Sequence, residues 1–273
     1  MTEDRQPEPH DELPFVAPCR SVGPGAPFRW IAAGFGDLRA APKQSLTWGL
    51  IVLALSWLVS LPPLLVGNKF ALLGLLSGFV FIGPLLAVAS YAISWRLEHS
   101  RAPTFRRSLA EARRQLSNCM VFALVLMIIF LVWARAASMV HVFFPVEANP
   151  DWRQIARFLG IGSAVGSIFA AITFAASAFS LPMIMDRQTD TITAVVTSIN
   201  AVLRNKAAMV VWLLIIVISV AIGFATAFVG LIVLFPLLGH ATWYSYREVI
   251  DASAYGTGGW SIAGLESETT ADG

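Results

Sequence analysis

The sequence is short of charge, short of histidine and almost without cysteine, and each shortage excludes something. Asp, Glu, Lys and Arg make up 13% of 273 residues, where an ordinary soluble domain carries about 25%. So little charge cannot cover the surface of a water-soluble protein of this size. The two cysteines, Cys19 and Cys119, have no metal-ligand spacing such as CxxC. Compartment logic makes them free thiols on the reducing side. No acidic residue stands in the middle of an apolar run, so the carboxylate of a proton relay or cation-coupled transporter is missing. A glycine-rich phosphate loop, HExxH and GxSxG are absent too.

Of four histidines, His10, His99, His141 and His240, His240 alone lies in an apolar run, near its polar end. A haem or copper centre in a membrane bundle needs ligands that face each other. His10 belongs to a polar arm, His99 to a loop on one side and His141 to the opposite side. They cannot converge, which excludes a haem–copper catalytic core. No catalytic set, metal or cofactor is expected.

What is present is long apolar sequence. Residues 46–67, 70–95, 119–134, 158–185 and 207–246 carry no Asp, Glu, Lys or Arg, and about 20 apolar residues cross a bilayer as a helix. The expected fold class is therefore all-α, a polytopic membrane bundle. Spans are placed at about 46–66, 71–95, 118–140 and 159–185. The last run would be about 60 Å long as one helix, so it folds back, near Gly223–Thr226. That makes six spans, with five as the alternative. Six spans put all but four of the 19 basic residues on one side; Lys69, Arg153 and Arg157 fall on the other and Arg135 at the edge of the third span. Positive loops stay in the cytoplasm, so both termini are expected there. Residues 1–27, rich in Pro and acid, read as a disordered arm with no signal-peptide pattern. Residues 28–251 form the six-span domain, and 252–273, rich in Gly, Ser, Thr and Glu, form a disordered tail.

A short amphipathic segment precedes each odd-numbered span. In the first, Ile31, Phe35 and Leu38 share a face. The second, 103–117, carries Arg106, Arg107, Arg113 and Arg114 beside an apolar face. The third presents Ile192, Val195, Val196, Ile199, Val202 and Leu203. Each even-numbered span holds a proline: Pro84, Pro182 and Pro236. The unit reads either as a threefold repeat of the kind found in transporters or as the ordinary connections of a hairpin protein. The basic segment 103–117 is suited to anionic lipids at the bilayer surface. Its basic face is too short, and the aromatics too distant, for nucleic acid.

The functional candidates are few. His240 is either a hydrogen-bonded inter-helix residue or a proton or ligand contact. Arg135 snorkels to the outer surface, with Glu147 or Asp151 as partner, or is a functional intramembrane charge. Asp186 and Asp190 close the fourth span, and Pro84, Pro182 and Pro236 mark helix breaks. Gly162, Ser163, Gly166, Ser167 and Ala170 place small residues on the fourth span, which suits close helix packing. In LIVLFPLLGHATWYSYREVID, 231–251, the rings of Trp243, Tyr244 and Tyr246 suit the headgroup level.

The order of PFRWIAAGFGDLRAAP (27–42), Gly83-Pro84 with WRLE (95–98), FSLPMIMDRQTD (179–190), SINAVLRN (198–205) and LLGHATWYSYR (237–247) resembles DUF2189, a bacterial family of predicted inner-membrane proteins of unknown function. The resemblance runs over about 27–251. It implies a multi-pass protein of the bacterial inner (cytoplasmic) membrane. Some members carry a label tying them to cytochrome c oxidase, which the histidines contradict for a catalytic role and leave open for an accessory one. Three functions follow as expectations. The first is a non-catalytic accessory, assembly or membrane-organising protein with a membrane-protein partner. The second is a small transporter or lipid-handling protein. The third is a lipid enzyme, which requires His240 and Asp186 to be neighbours.

Overall fold

The computed structural model describes residues 14–67, 78–79, 81–101, 116–143 and 151–258. Among these the chain is helical, with no strand beyond two isolated bridges. The helices are α1 (Ala26–Ala40), α2 (Pro42–Leu65), α3 (Val88–Glu98), α4 (Leu116–Phe143), α5 (Trp152–Ser177), α6 (Ser180–Asp186), α7 (Thr191–Arg204), α8 (Lys206–Ala225) and α9 (Leu231–Val249). The basic segment 103–117 lies outside the described residues except for its last two positions. So do 1–13 of the arm, 259–273 of the tail, His10 and the start of the second span.

Four helical stretches are long and apolar enough to cross a membrane: Pro42–Leu65, Cys119–Val140, Trp152–Asp186 and Lys206–Ala225. Their large apolar side chains face outward, as Leu58, Leu131, Ile168 and Ile218 do. Water would not tolerate such a surface on a monomer; lipid does. The run 207–246 folds back at 226–230, slightly beyond the expected place. There Ala227 and Phe228 adopt positive φ, and the Thr226 hydroxyl accepts from the Gly230 N–H at 2.9 Å.

The last helix is the hub. α9 packs on α1, α2, α3, α6 and α8, and it approaches two of them backbone to backbone. A methyl group at Gly34 of α1 would stand 2.7 Å from the Ala241 nitrogen. One at Gly49 of α2 would stand 2.0 Å from the Ile232 carbonyl oxygen. The second contact explains Pro236. A proline has no N–H for the carbonyl four residues back, which is that of Ile232. The freed carbonyl lies against Gly49, where the missing side chain lets a neighbouring helix cover it.

Pro182 sits in the first turn of α6, where an N–H would have no helical acceptor anyway. The chain breaks just before it, at 178–179, and serines seal the break. Ser180 Oγ donates to the Ala176 carbonyl. Ser198 Oγ donates to the Ala175 carbonyl at 2.7 Å and accepts from the Phe179 N–H at 3.1 Å.

Two of the amphipathic segments form helices whose apolar faces are only partly covered by protein. α7 buries Thr193, Ala194, Thr197, Ser198 and Ala201, while Ile192 and Leu203 are 65% and 58% exposed. α1 buries Trp30, Gly34, Asp37 and Leu38 but exposes Phe35, which carries the Arg39 guanidinium over its ring at 4.3 Å. An interfacial helix does this: large apolar groups meet lipid and small ones meet protein.

Two expected tails begin as structure. In the arm, residues 14–25 lie on the bundle: Ala17 is buried and its N–H donates to Thr197 Oγ1 at 3.1 Å, and the Arg20 N–H donates to the Val249 carbonyl at 2.8 Å. In the tail, 252–258 returns to α6, where the Gly258 N–H donates to the Asp186 carbonyl at 2.8 Å. The prolines and polar residues that suggested disorder here supply extended backbone for these contacts.

Candidate functional site

Three clusters hold the polar groups that the bundle buries. The first surrounds His240, which is fully buried on α9. Ser45 Oγ of α2 lies 2.9 Å from Nε2, and Ser94 Oγ of α3 lies 2.8 Å from Nδ1. A neutral imidazole has one donor and one acceptor nitrogen, so one serine donates to the ring and the other accepts from it. The histidine thereby ties three helices together. Asp37 of α1 lies alongside and accepts from the Tyr244 hydroxyl at 2.8 Å. Burial pushes the Asp37 carboxyl above its ordinary range, against the hydrogen bonds from Ser94 and Tyr244.

The second cluster forms the charged end. Asp186, buried, accepts from the Tyr246 hydroxyl at 2.8 Å and from Arg187 Nε at 3.0 Å, with Arg247 Nη1 at 3.6 Å. Arg247 also pairs with Glu98 at 3.0 Å, and Glu98 accepts from Trp243 Nε1 at 2.9 Å. Trp243 and Tyr246 are thus core residues whose polar tips reach carboxylates, not rings of a lipid-facing belt.

His240 and Asp186 are not brought together. Each is held by its own partners among the described residues, and neither lines the cavity described below. The enzyme reading lacks the juxtaposition it required. Arg135 is exposed on α4, and Asp151, one of its two expected partners, is committed elsewhere as the cap of α5, accepting from the Gln154 N–H at 2.7 Å. Glu147 lies outside the described residues. The two cysteines are free, and among the described residues no cluster of His, Cys, Asp or Glu could hold a metal ion.

The third cluster lines a cavity of about 390 Å³, the size of a small-molecule pocket. It opens between two groups of helices. On one side stand α3, α8 and α9; on the other stands α5, which packs on α4, α6 and α7. The groups meet through α6 and α7. Of the stripe of small residues on α5, Ala170 lines the cavity, and among the described residues nothing comes within 4 Å of a methyl group added at Gly162. Pro84 is in the cavity wall, whereas Pro182 and Pro236 are buried in packed helices. The lining is apolar except for four hydroxyl residues, Tyr91, Thr173, Ser177 and Thr242, and the Trp212 ring. Tyr91 is bonded to Thr242, whose hydroxyl donates to the Leu238 carbonyl at 2.7 Å. Thr173 Oγ1 is buried and has no hydrogen-bond partner among the described residues. Nothing in the sequence marks this cavity beyond Pro84, because its walls are ordinary apolar spans.

Long apolar helices that turn their large side chains outward define an integral membrane protein. Residues 71–186 match the family model described as predicted integral membrane protein (DUF2189). The match runs over a shorter stretch than the resemblance read from the sequence: 27–42, 198–205 and 237–247 lie outside it. No curated protein and no solved structure matches the chain.

Proposed function

We propose that this is a lipid-handling membrane protein that holds a hydrophobic molecule in the cavity between α5 and the α3–α8–α9 group. The observation that carries this reading is the cavity itself, ligand-sized, apolar and walled by helices that stand in lipid. The accompanying topology is six crossings of the bacterial inner membrane with both termini cytoplasmic. It is supported by the reversal at 226–230 and by the gathering of Arg187, Arg247 and the terminal segments at one end. The basic segment 103–117 adds an anionic-lipid contact at that surface.

The test is ligand-dependent stabilisation. A molecule that binds the fold raises its melting temperature. Purified protein titrated with lipids should melt higher, and Ala170→Phe, which fills the cavity from α5, should abolish the rise. If the rise is equal in both proteins, or absent in both, the cavity is not a binding site.

A further inference from the structure

Resting on that reading, we propose that the ligand is an uncharged fatty-acyl ester, with its ester carbonyl at the hydroxyl-lined end of the cavity and its chain along the apolar remainder. Three observations converge. The first is a polarity gradient. Ser177 and Thr242 come from the halves of α5 and α9 nearest the charged cluster, with Tyr91 bonded to Thr242, whereas Phe224, Leu231 and Phe235 come from the far end. An ester in the leaflet beside the charged end has its carbonyl and chain in that same order. The second is the chemistry of the lining, which among the described residues holds hydroxyls and no Asp, Glu, Lys or Arg. A charged headgroup would have no counter-ion there and would carry a large desolvation penalty; a carbonyl needs one donor. The third is Thr173. Its hydroxyl is an unpaired donor in the cavity wall. A buried hydroxyl left without a partner costs free energy, which a ligand carbonyl accepting from it would recover.

The ester could be a free neutral lipid or one arm of a bilayer phospholipid, and the test separates them. Trp212 lines the cavity and is buried, so bromine on an acyl chain in the site quenches it. Full-length protein in maltoside micelles is titrated with three probes: brominated diacylglycerol, brominated phosphatidylcholine and a brominated alkane of equal chain length. Trp212→Phe identifies the reporting signal, and Thr173→Val removes the hydroxyl while keeping the shape. We expect saturable quenching by an ester probe, tighter than by the alkane. Thr173→Val should weaken ester binding by roughly fivefold, as one neutral hydrogen bond allows, and leave the alkane unchanged. Diacylglycerol outcompeting phosphatidylcholine assigns a free neutral lipid; the reverse assigns a phospholipid arm. Equal binding of alkane and ester, or no effect of Thr173→Val, overturns the ester assignment and leaves the lipid-holding reading intact. No quenching by any probe overturns both.

Discussion

Gly49 of α2 lies directly against the carbonyl of Ile232, the group that Pro236 leaves without a helical donor. A methyl group at position 49 would stand 2.0 Å from that oxygen, and the obstacle is backbone, which cannot rotate away. Overpacking of this kind costs about 1–3 kcal/mol, so Gly49→Ala should lower the melting temperature in detergent by several degrees. Gly36 is the control. Nothing lies within 4 Å of a methyl group there, and Gly36→Ala should be neutral or stabilising by about 0.5–1 kcal/mol, because alanine is the better helix former.

His240 should prove structural. His240→Ala leaves the hydroxyls of Ser45 and Ser94 buried without their partner and opens a void, so it should destabilise more than Ser45→Ala alone. A double-mutant cycle between His240 and Ser94 should give a coupling of about 0.5–3 kcal/mol. If His240→Ala melts like the wild type, the imidazole is not what ties α2, α3 and α9 together.

Asp37 predicts a pH dependence. Its folded carboxyl titrates above the unfolded value of about 3.9, so in the interval between the two the folded state binds more protons than the unfolded one. Stability must then fall as pH rises through that interval. Asp37→Asn cannot ionise and should lack this decline. Melting curves of both proteins between pH 4 and neutrality check it; parallel curves would show that burial of the carboxyl is not felt.

The proposed topology is open to labelling. Ser253 and Val229 are exposed at opposite ends of α9. With Cys19→Ser and Cys119→Ala as background, a membrane-impermeant maleimide added outside should reach Val229→Cys and fail to reach Ser253→Cys until the membrane is opened. The opposite pattern would invert the orientation.

The helices were readable from the sequence because a charge-free run of this length has few other uses. The fold-back within 207–246 was readable from length alone. What escaped was direction. Lipid tails are as apolar as leucine, so hydrophobicity cannot separate the face toward lipid from the face toward protein. The inward faces are marked by small and polar residues: Gly34 and Asp37 on α1, Ser45 and Gly49 on α2, Thr197 and Ala201 on α7. The Ile and Leu residues that define the amphipathic pattern of α7 point away. The direction of Trp243 and Tyr246 was illegible for the same reason, since an amphipathic ring can face lipid or protein. The cavity was illegible because its walls come from helices far apart in the sequence, which no local pattern records.

The most direct measurement is native mass spectrometry of the protein extracted gently from its own membrane, beside Ala170→Phe. A wild-type chain carrying one lipid-sized adduct that Ala170→Phe loses is the predicted result. A bare chain in both, or a protein subunit bound equally to both, would contradict it, and the subunit would point to the accessory role instead.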